Sequence, residues 1–179
     1  MVIEPTHDED ALISIKSFSS DNIEILKKTV KALSQEFKIN KLSSVYTARM
    51  TKYTDKAVHQ IKTLEDFEGL VVVLRLGCKD QPAEVFARLK RIEREMESTT
   101  RRGVVLNLLA FGHQTLMTPN LTIPHPDLHQ NPVDLYPSAE IWGDFVHPVL
   151  KENINHLTQK ISPIKWGQFF AQGKSLLDF

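Results

Sequence analysis

A histidine set between two prolines lies in the stretch of this chain with the most chemical content, residues 120–141 (NLTIPHPDLHQNPVDLYPSAEI). Pro124 and Pro126 each fix their own φ and push the residue before them towards an extended backbone. His125 therefore stands on a stiff main chain that aims its ring in one direction and loses little entropy on binding a ligand. A short apolar β-like segment, Leu121-Thr122-Ile123, leads into it, and a short helical segment follows. The residue types alone leave a second reading open, a rigid surface loop whose histidine is incidental.

The elements that must position this stretch follow from periodicity. Residues 11–16 (ALISIK) alternate apolar with small or polar side chains and read as a first strand. Ser19 or Ser20 is a suitable N-cap for an amphipathic helix carrying Ile23, Leu26, Val30, Leu33 and Phe37. Residues 43–48 are rich in β-formers and predict a second strand. Residues 49–66 show no period and read as a long polar loop, a kind that is often functional. The continuous apolar run at 67–76 (FEGLVVVLRL) predicts a central strand buried on both faces. Pro82 sits near the start of a second helix with Val85, Phe86, Leu89, Ile92 and Met96 on its buried stripe. Lys90, Arg91, Glu93, Arg94 and Glu95 read as its solvated face. Residues 103–111 (GVVLNLLAF) form a further buried strand, and 148–161 carry a third helical pattern with Leu150, Ile154 and Leu157. Residues 1–10 are a loose lead-in, and 162–179 an aromatic tail with Trp166, Phe169 and Phe170. The order β-α-β-β-α-β is that of a ferredoxin-like α+β unit, a mostly antiparallel sheet with helices on its faces. The chain reads as one domain, 1–179.

Composition narrows the function classes. Lys plus Arg and Asp plus Glu balance at 22 each, so no net positive field invites nucleic acid or an anionic membrane surface. No apolar run approaches the ~20 residues that a membrane span needs. Cys78 is the only cysteine, which excludes an internal disulfide framework and fits a reducing, cytoplasmic setting. The acidic start MVIEPTHDED does not read as a secretory signal.

A set of residues from Leu106 onwards carries a resemblance. Leu106, Leu108, Phe111-Gly112, then Leu121-Thr122-Ile123-Pro124-His125-Pro126, then Leu135, Pro137 and Glu140-Ile141 resemble, in order and spacing, the 6-hydroxymethyl-7,8-dihydropterin pyrophosphokinases of folate biosynthesis. The resemblance implies the same fold. It also implies ATP and magnesium, for transfer of a pyrophosphoryl group from ATP to the pterin hydroxymethyl oxygen. That chemistry is mostly positioning and charge neutralisation, and magnesium wants carboxylate and phosphate oxygens.

The same alignment of motifs marks departures. Where the family carries its metal-binding pair of aspartates on one strand face, this chain has Val105 and Asn107. The loop before that strand is shorter and keeps only Arg101-Arg102. The resemblance implies that Arg102 meets a phosphate, with Thr122 and His125 on the nucleotide side. In the pterin pocket Phe67 matches one ring-gripping aromatic. Gly69 stands at the edge-reading asparagine, Val133 at the second aromatic, and Asn131 at an arginine ahead of it. The family's Gly-Ser-Asn after the first strand is Lys16-Ser17-Phe18. Trp142, beside Ile141, reads as core. The expectation is a family member that has lost, or nearly lost, pyrophosphoryl transfer and keeps a nucleotide or other small ligand in the inherited cleft. The alternative is a working enzyme with rearranged metal ligands. ATP and magnesium are the implied cofactors if activity is kept, and none otherwise; a protein partner is left open.

Overall fold

The computed structural model describes residues 8–18, 23–56, 61–99, 103–161 and 166–179, with backbone alone at 51–56, 61–67 and 99. Ser19, Ser20 and Arg102, and the side chain of Phe67, lie outside the described residues. In chain order the elements are β1 (Glu9–Ser17), α1 (Ile23–Glu36), β2 (Lys38–Leu42), β3 (Val45–Lys56), β4 (Ile61–Cys78), α2 (Pro82–Thr99) and β5 (Val104–Phe111). A small hairpin of β6 (Leu116–Met117) and β7 (Thr122–Ile123) follows. Then come α3 (Pro132–Trp142), α4 (Ile154–Lys160), β8 (Gly167–Ala171) and a 3-10 turn at Gly173–Leu177.

The larger sheet has the order β5-β1-β4-β3-β8, with β2 on β4 past the start of β3. Every pairing in it is antiparallel. Alternation along the strands sorts side chains to two faces. Ala11, Ile13 and Ile15 of β1 join Leu70, Val72, Leu74 and Leu76 of β4 and Leu106 and Leu108 of β5 in the main core. The stripes of α1 (Leu26, Val30, Leu33) and α2 (Val85, Leu89, Ile92) close that core. Leu12, Val73 and Leu109 look the other way and pack with Leu135 and Ile141 of α3 and Leu157 of α4. The run 70–74 is fully buried, as its unbroken apolar character requires for a strand with helices on both sides.

Three expectations change. Residues 49–66 do not read as a loop: β3 and β4 extend through them, paired from Tyr46↔Val71 out to Lys56↔Ile61, and 57–60 lie outside the described residues. Cross-strand hydrogen bonding supplies a reason for order that single-strand periodicity does not contain. The third helical pattern starts late, at Ile154. Lys151 has φ 60, and Asn153 caps the helix by accepting from the His156 N–H. The preceding 149–150 segment instead donates its N–H groups to His147 Nδ1, so Leu150 is no part of a buried stripe. The tail adds an edge strand, with β8 pairing on β3. Among the described residues no helix is long and apolar enough to cross a membrane.

Leu74→Ala is expected to cost about 2–5 kcal/mol, because it opens a cavity in the main core. Leu150→Ala, at a side chain 37% exposed, is expected to change stability by about 0.5 kcal/mol or less. Urea midpoints at unchanged m-values check both.

Candidate functional site

The face of the sheet that α3 covers carries the chemistry. Lys16 of β1 lies opposite Val71 of β4 and Val105 of β5; Ser14 lies opposite Val73 and Asn107. Directly opposed residues share a face, so Lys16, Ser14, Val105 and Asn107 form one floor. The register between β1 and β5 shifts at Leu12/Ile13 and leaves Leu109 without a partner on β1. A bulge of this kind leaves main-chain groups free and re-aims the strand. The Leu109 carbonyl uses that freedom to accept the His125 N–H at 2.7 Å.

That bond, together with the two prolines and a cis Ile123–Pro124 peptide, holds His125 against the end of β5. Its Nδ1 accepts from the Asp127 N–H at 3.2 Å, so the neutral ring carries its proton on Nε2 and presents a donor. Burial pushes the imidazole below its ordinary 6.5. Asp134 and Asp127 oppose that shift, while Lys16 and Lys90 add to it. His125 stands on the wall between two cavities, which share it with Thr122 and Pro126. One, of about 300 Å³, is polar and lined by Lys90, Asn107 and Asn120 among others. The other, of about 390 Å³, is mostly apolar and includes His129 and His147. Thr122 and Asn107 are half-buried in this region. His125, Thr122 and Asn107 are therefore brought together around one cavity.

At the pterin-pocket positions, Gly69 is buried and pairs with Ala48. Ala48 packs with Met50, Val71 and Val133, and the Tyr46 and Trp166 rings lie against this cluster. Trp166 stacks on Tyr136 at 5.5 Å between ring centroids and tilts over Tyr46 at 4.9 Å. Glu140 accepts from the Tyr46 hydroxyl at 2.6 Å. Burial, with Glu140 beside it, pushes that phenol up to about 12. Asn131 serves as the N-cap of α3, its Oδ1 accepting from the Val133 N–H. Trp142 packs as core against Phe145 and under Arg75, in line with the reading of its sequence position.

The feature that sequence reasoning missed is an ion pair. Lys16 Nζ lies 2.9 Å from Asp134 Oδ2, with side-chain exposures of 14% and 1%. Asn131 donates to the same oxygen at 3.2 Å, and Asp134 Oδ1 is buried without a partner among the described residues. The visible signal was the lysine at a strand end where the family has glycine; its partner is far along the chain. A second correction concerns Lys90 and Glu93, read as solvated helix surface. Lys90 donates to the Leu106 carbonyl at 3.0 Å, and Glu93 accepts from the Leu106 N–H at 2.9 Å, so the two fasten α2 to β5 beside the cleft. Cys78 is buried, and its thiol is pushed up to about 12 by that burial and by Asp10, which leaves it unreactive.

The residues do not fit a magnesium ion of the kind the resemblance implies. The Val105 side chain has no ligating atom, that of Asn107 offers one neutral oxygen, and Lys16 stands on the same floor. Among the described residues no group of His, Cys, Asp or Glu is arranged to hold a metal ion.

A model of the 7,8-dihydro-6-hydroxymethylpterin-pyrophosphokinase family matches residues 12–143. The 2-amino-4-hydroxy-6-hydroxymethyldihydropteridine pyrophosphokinase of Aquifex aeolicus is 23% identical over 145 residues, 78% of this chain and 84% of that protein. The protein of the same name from Haemophilus influenzae is 24% identical over 165 residues, 86% of this chain and 98% of that one. Among solved structures, a Plasmodium falciparum HPPK-DHPS superposes with a TM-score of 0.67 at 12% identity. It matches 86% of this chain, which spans 43% of that longer one. That likeness concerns the fold.

His125 and His147 both have their pKa values lowered chiefly by burial. Below about pH 6.5 the unfolded chain therefore binds more protons than the folded one, and stability falls as the pH drops through that region towards the folded values. The thermal midpoint is expected to be lower at about pH 5 than at pH 7, and the fall to be shallower in His147→Asn, whose amide oxygen can replace the Nδ1 acceptor. An equal fall in the variant would remove His147 from this account.

Proposed function

Because this chain belongs to the 7,8-dihydro-6-hydroxymethylpterin-pyrophosphokinase family, we propose that it keeps the family cleft as a binding site without carrying out pyrophosphoryl transfer. The ligand is a nucleotide or another phosphate-bearing small molecule. The observation that carries this reading is the placement of Val105 and Asn107 on the cleft floor, in register with Lys16 and Ser14. Phosphoryl and pyrophosphoryl transfer depend on neutralising charge that develops on the phosphate oxygens. A valine and an amide supply no anionic ligand for the cations that do this.

His125, through Nε2–H, and Thr122 are the proposed nucleotide contacts, with Arg102 as a third. The pterin side is weakened further. Gly69 offers no hydrogen bond to a ring edge, and each polar group buried unpaired costs about 1–3 kcal/mol. Val133 offers no aromatic face. The chain acts in this reading as a single unit, 1–179, and its lone cysteine supports a reducing, cytoplasmic setting.

The purified protein is expected to release no AMP that depends on both 6-hydroxymethyl-dihydropterin and magnesium. Such release at about 1 per second or more would establish the alternative, a working enzyme with rearranged metal ligands. For binding, His125→Ala is expected to weaken ATP by about 1.5–3 kcal/mol, typical of a hydrogen bond to a charged group. Calorimetric titration with equal affinities for the two proteins would show that the inherited site is not the one in use.

A further inference from the structure

We infer that Lys16 supplies, as a fixed ammonium, the positive charge that a divalent cation would bring to this cleft, so that phosphate-bearing ligands bind here without metal. The inference rests on the reading of the cleft as a phosphate-ligand site. Four observations carry it. Lys16 stands directly across the sheet from Val105, one of the two positions where metal ligands are missing. Its head is held in place, 2.9 Å from Asp134, and Asn131 steadies the same carboxylate oxygen from the cap of α3. An ammonium has three donors, and the contact to Asp134 uses one. Finally, of the two partners the carboxylate is the enclosed one and the ammonium the more open, 1% against 14% exposed. Of the pair, the ammonium is therefore the end more open to a ligand.

The pair is a costly fastening for α3. That helix is already anchored by Leu135 and Ile141 in the core and by its own cap. A buried ion pair is often no more stabilising than a well-packed apolar pair of similar size, and here it also leaves Asp134 Oδ1 buried and without a partner among the described residues. A role in binding accounts for that cost. The remaining parts fit an anion. Lys90 lines the polar cavity with His125, Thr122 and Asn107. The ligand class is a diphosphate or triphosphate group, with a nucleoside accommodated by the adjoining cavity. A divalent cation is disfavoured, because the ammonium repels it and the floor gives it no carboxylate.

The experiment titrates the full chain calorimetrically with ATP and, separately, with inorganic pyrophosphate, each in EDTA and in excess magnesium. Both ligands are expected to bind in EDTA and no more tightly in magnesium. Lys16→Met alone strands a buried carboxylate, so the variant of choice is Lys16→Met combined with Asp134→Asn, which removes the pair as a unit. It is expected to keep the native circular dichroism spectrum and to lose about tenfold in affinity for both ligands. Asp134→Asn alone, which leaves the ammonium uncompensated, is expected to bind them more tightly. Two results overturn the inference while leaving the cleft reading intact, provided that His125→Ala still weakens ATP. One is a gain of about tenfold or more on adding magnesium to the unaltered protein, which needs no variant to fold. The other is a folded double variant that binds like the parent. Failure of the unaltered protein to bind either ligand in either condition overturns the cleft reading and this inference together.

Discussion

A strand cannot choose its faces one residue at a time, and the site in this protein is built on that constraint. Ile13 and Ile15 are locked into the core against α1 and α2. Their neighbours Ser14 and Lys16 must then point at α3, and the antiparallel register delivers Asn107 and Val105 beside them. Any slip by one residue would bury Lys16 among leucines and expose the core. The burial of the isoleucines, at about 1.5–3 kcal/mol for each such side chain, thus also holds the cleft floor in register. The bulge at Leu109 belongs to the same arrangement: it spares one carbonyl from the ladder, and that carbonyl positions His125.

The residues that tie the chain to its family are mainly packing residues. Leu106, Leu108, Phe111, Ile123, Leu135 and Ile141 are all nearly or fully buried. Gly112 takes a positive φ, and a Cβ there would run into the Glu9 carboxylate. These positions answer to the shape of the fold. The positions that the resemblance assigns to metal and pterin answer to a ligand, and it is there that Val105, Asn107, Gly69 and Val133 stand. Family membership and retained catalysis are thus separate physical questions, carried by different side chains on alternate faces of the same strands.

Electrostatics in the cleft follow from burial. Burial works against a charge on His125, although two carboxylates oppose this, and so favours the neutral ring with its proton on Nε2. Lys16 keeps company with Asp134 because an isolated ammonium at that depth would be costly. Removing one partner of such a pair costs about 3–5 kcal/mol, since the other is left buried and uncompensated. The pair is consequently both a structural commitment and a source of local field.

Much of this was legible in the chain itself. Periods of two and of 3.6 residues identify β1, α1 and α2, and apolar runs identify the core of β4 and β5, because burial leaves a one-dimensional trace. The stiff setting of His125 is likewise local, a property of two prolines, and the lack of a side-chain carboxylate at Val105 and Asn107 is a matter of residue type. Other features have no one-dimensional trace. Residues 49–66 lack an internal period because the outer β3–β4 ladder is held by its partner strand. Leu150 falls on helical spacing, yet Lys151 and the Asn153 cap delay the helix. Trp166, Tyr136 and Tyr46 come from three elements and meet only when β8 pairs with β3. Lys16 and Asp134 are single charges in unremarkable positions until the packing of α3 on β1 sets them 2.9 Å apart. Local sequence determined which side chains alternate and which backbone is stiff; pairing and packing decided which charges meet, because distance in space between remote residues is a property of the whole fold.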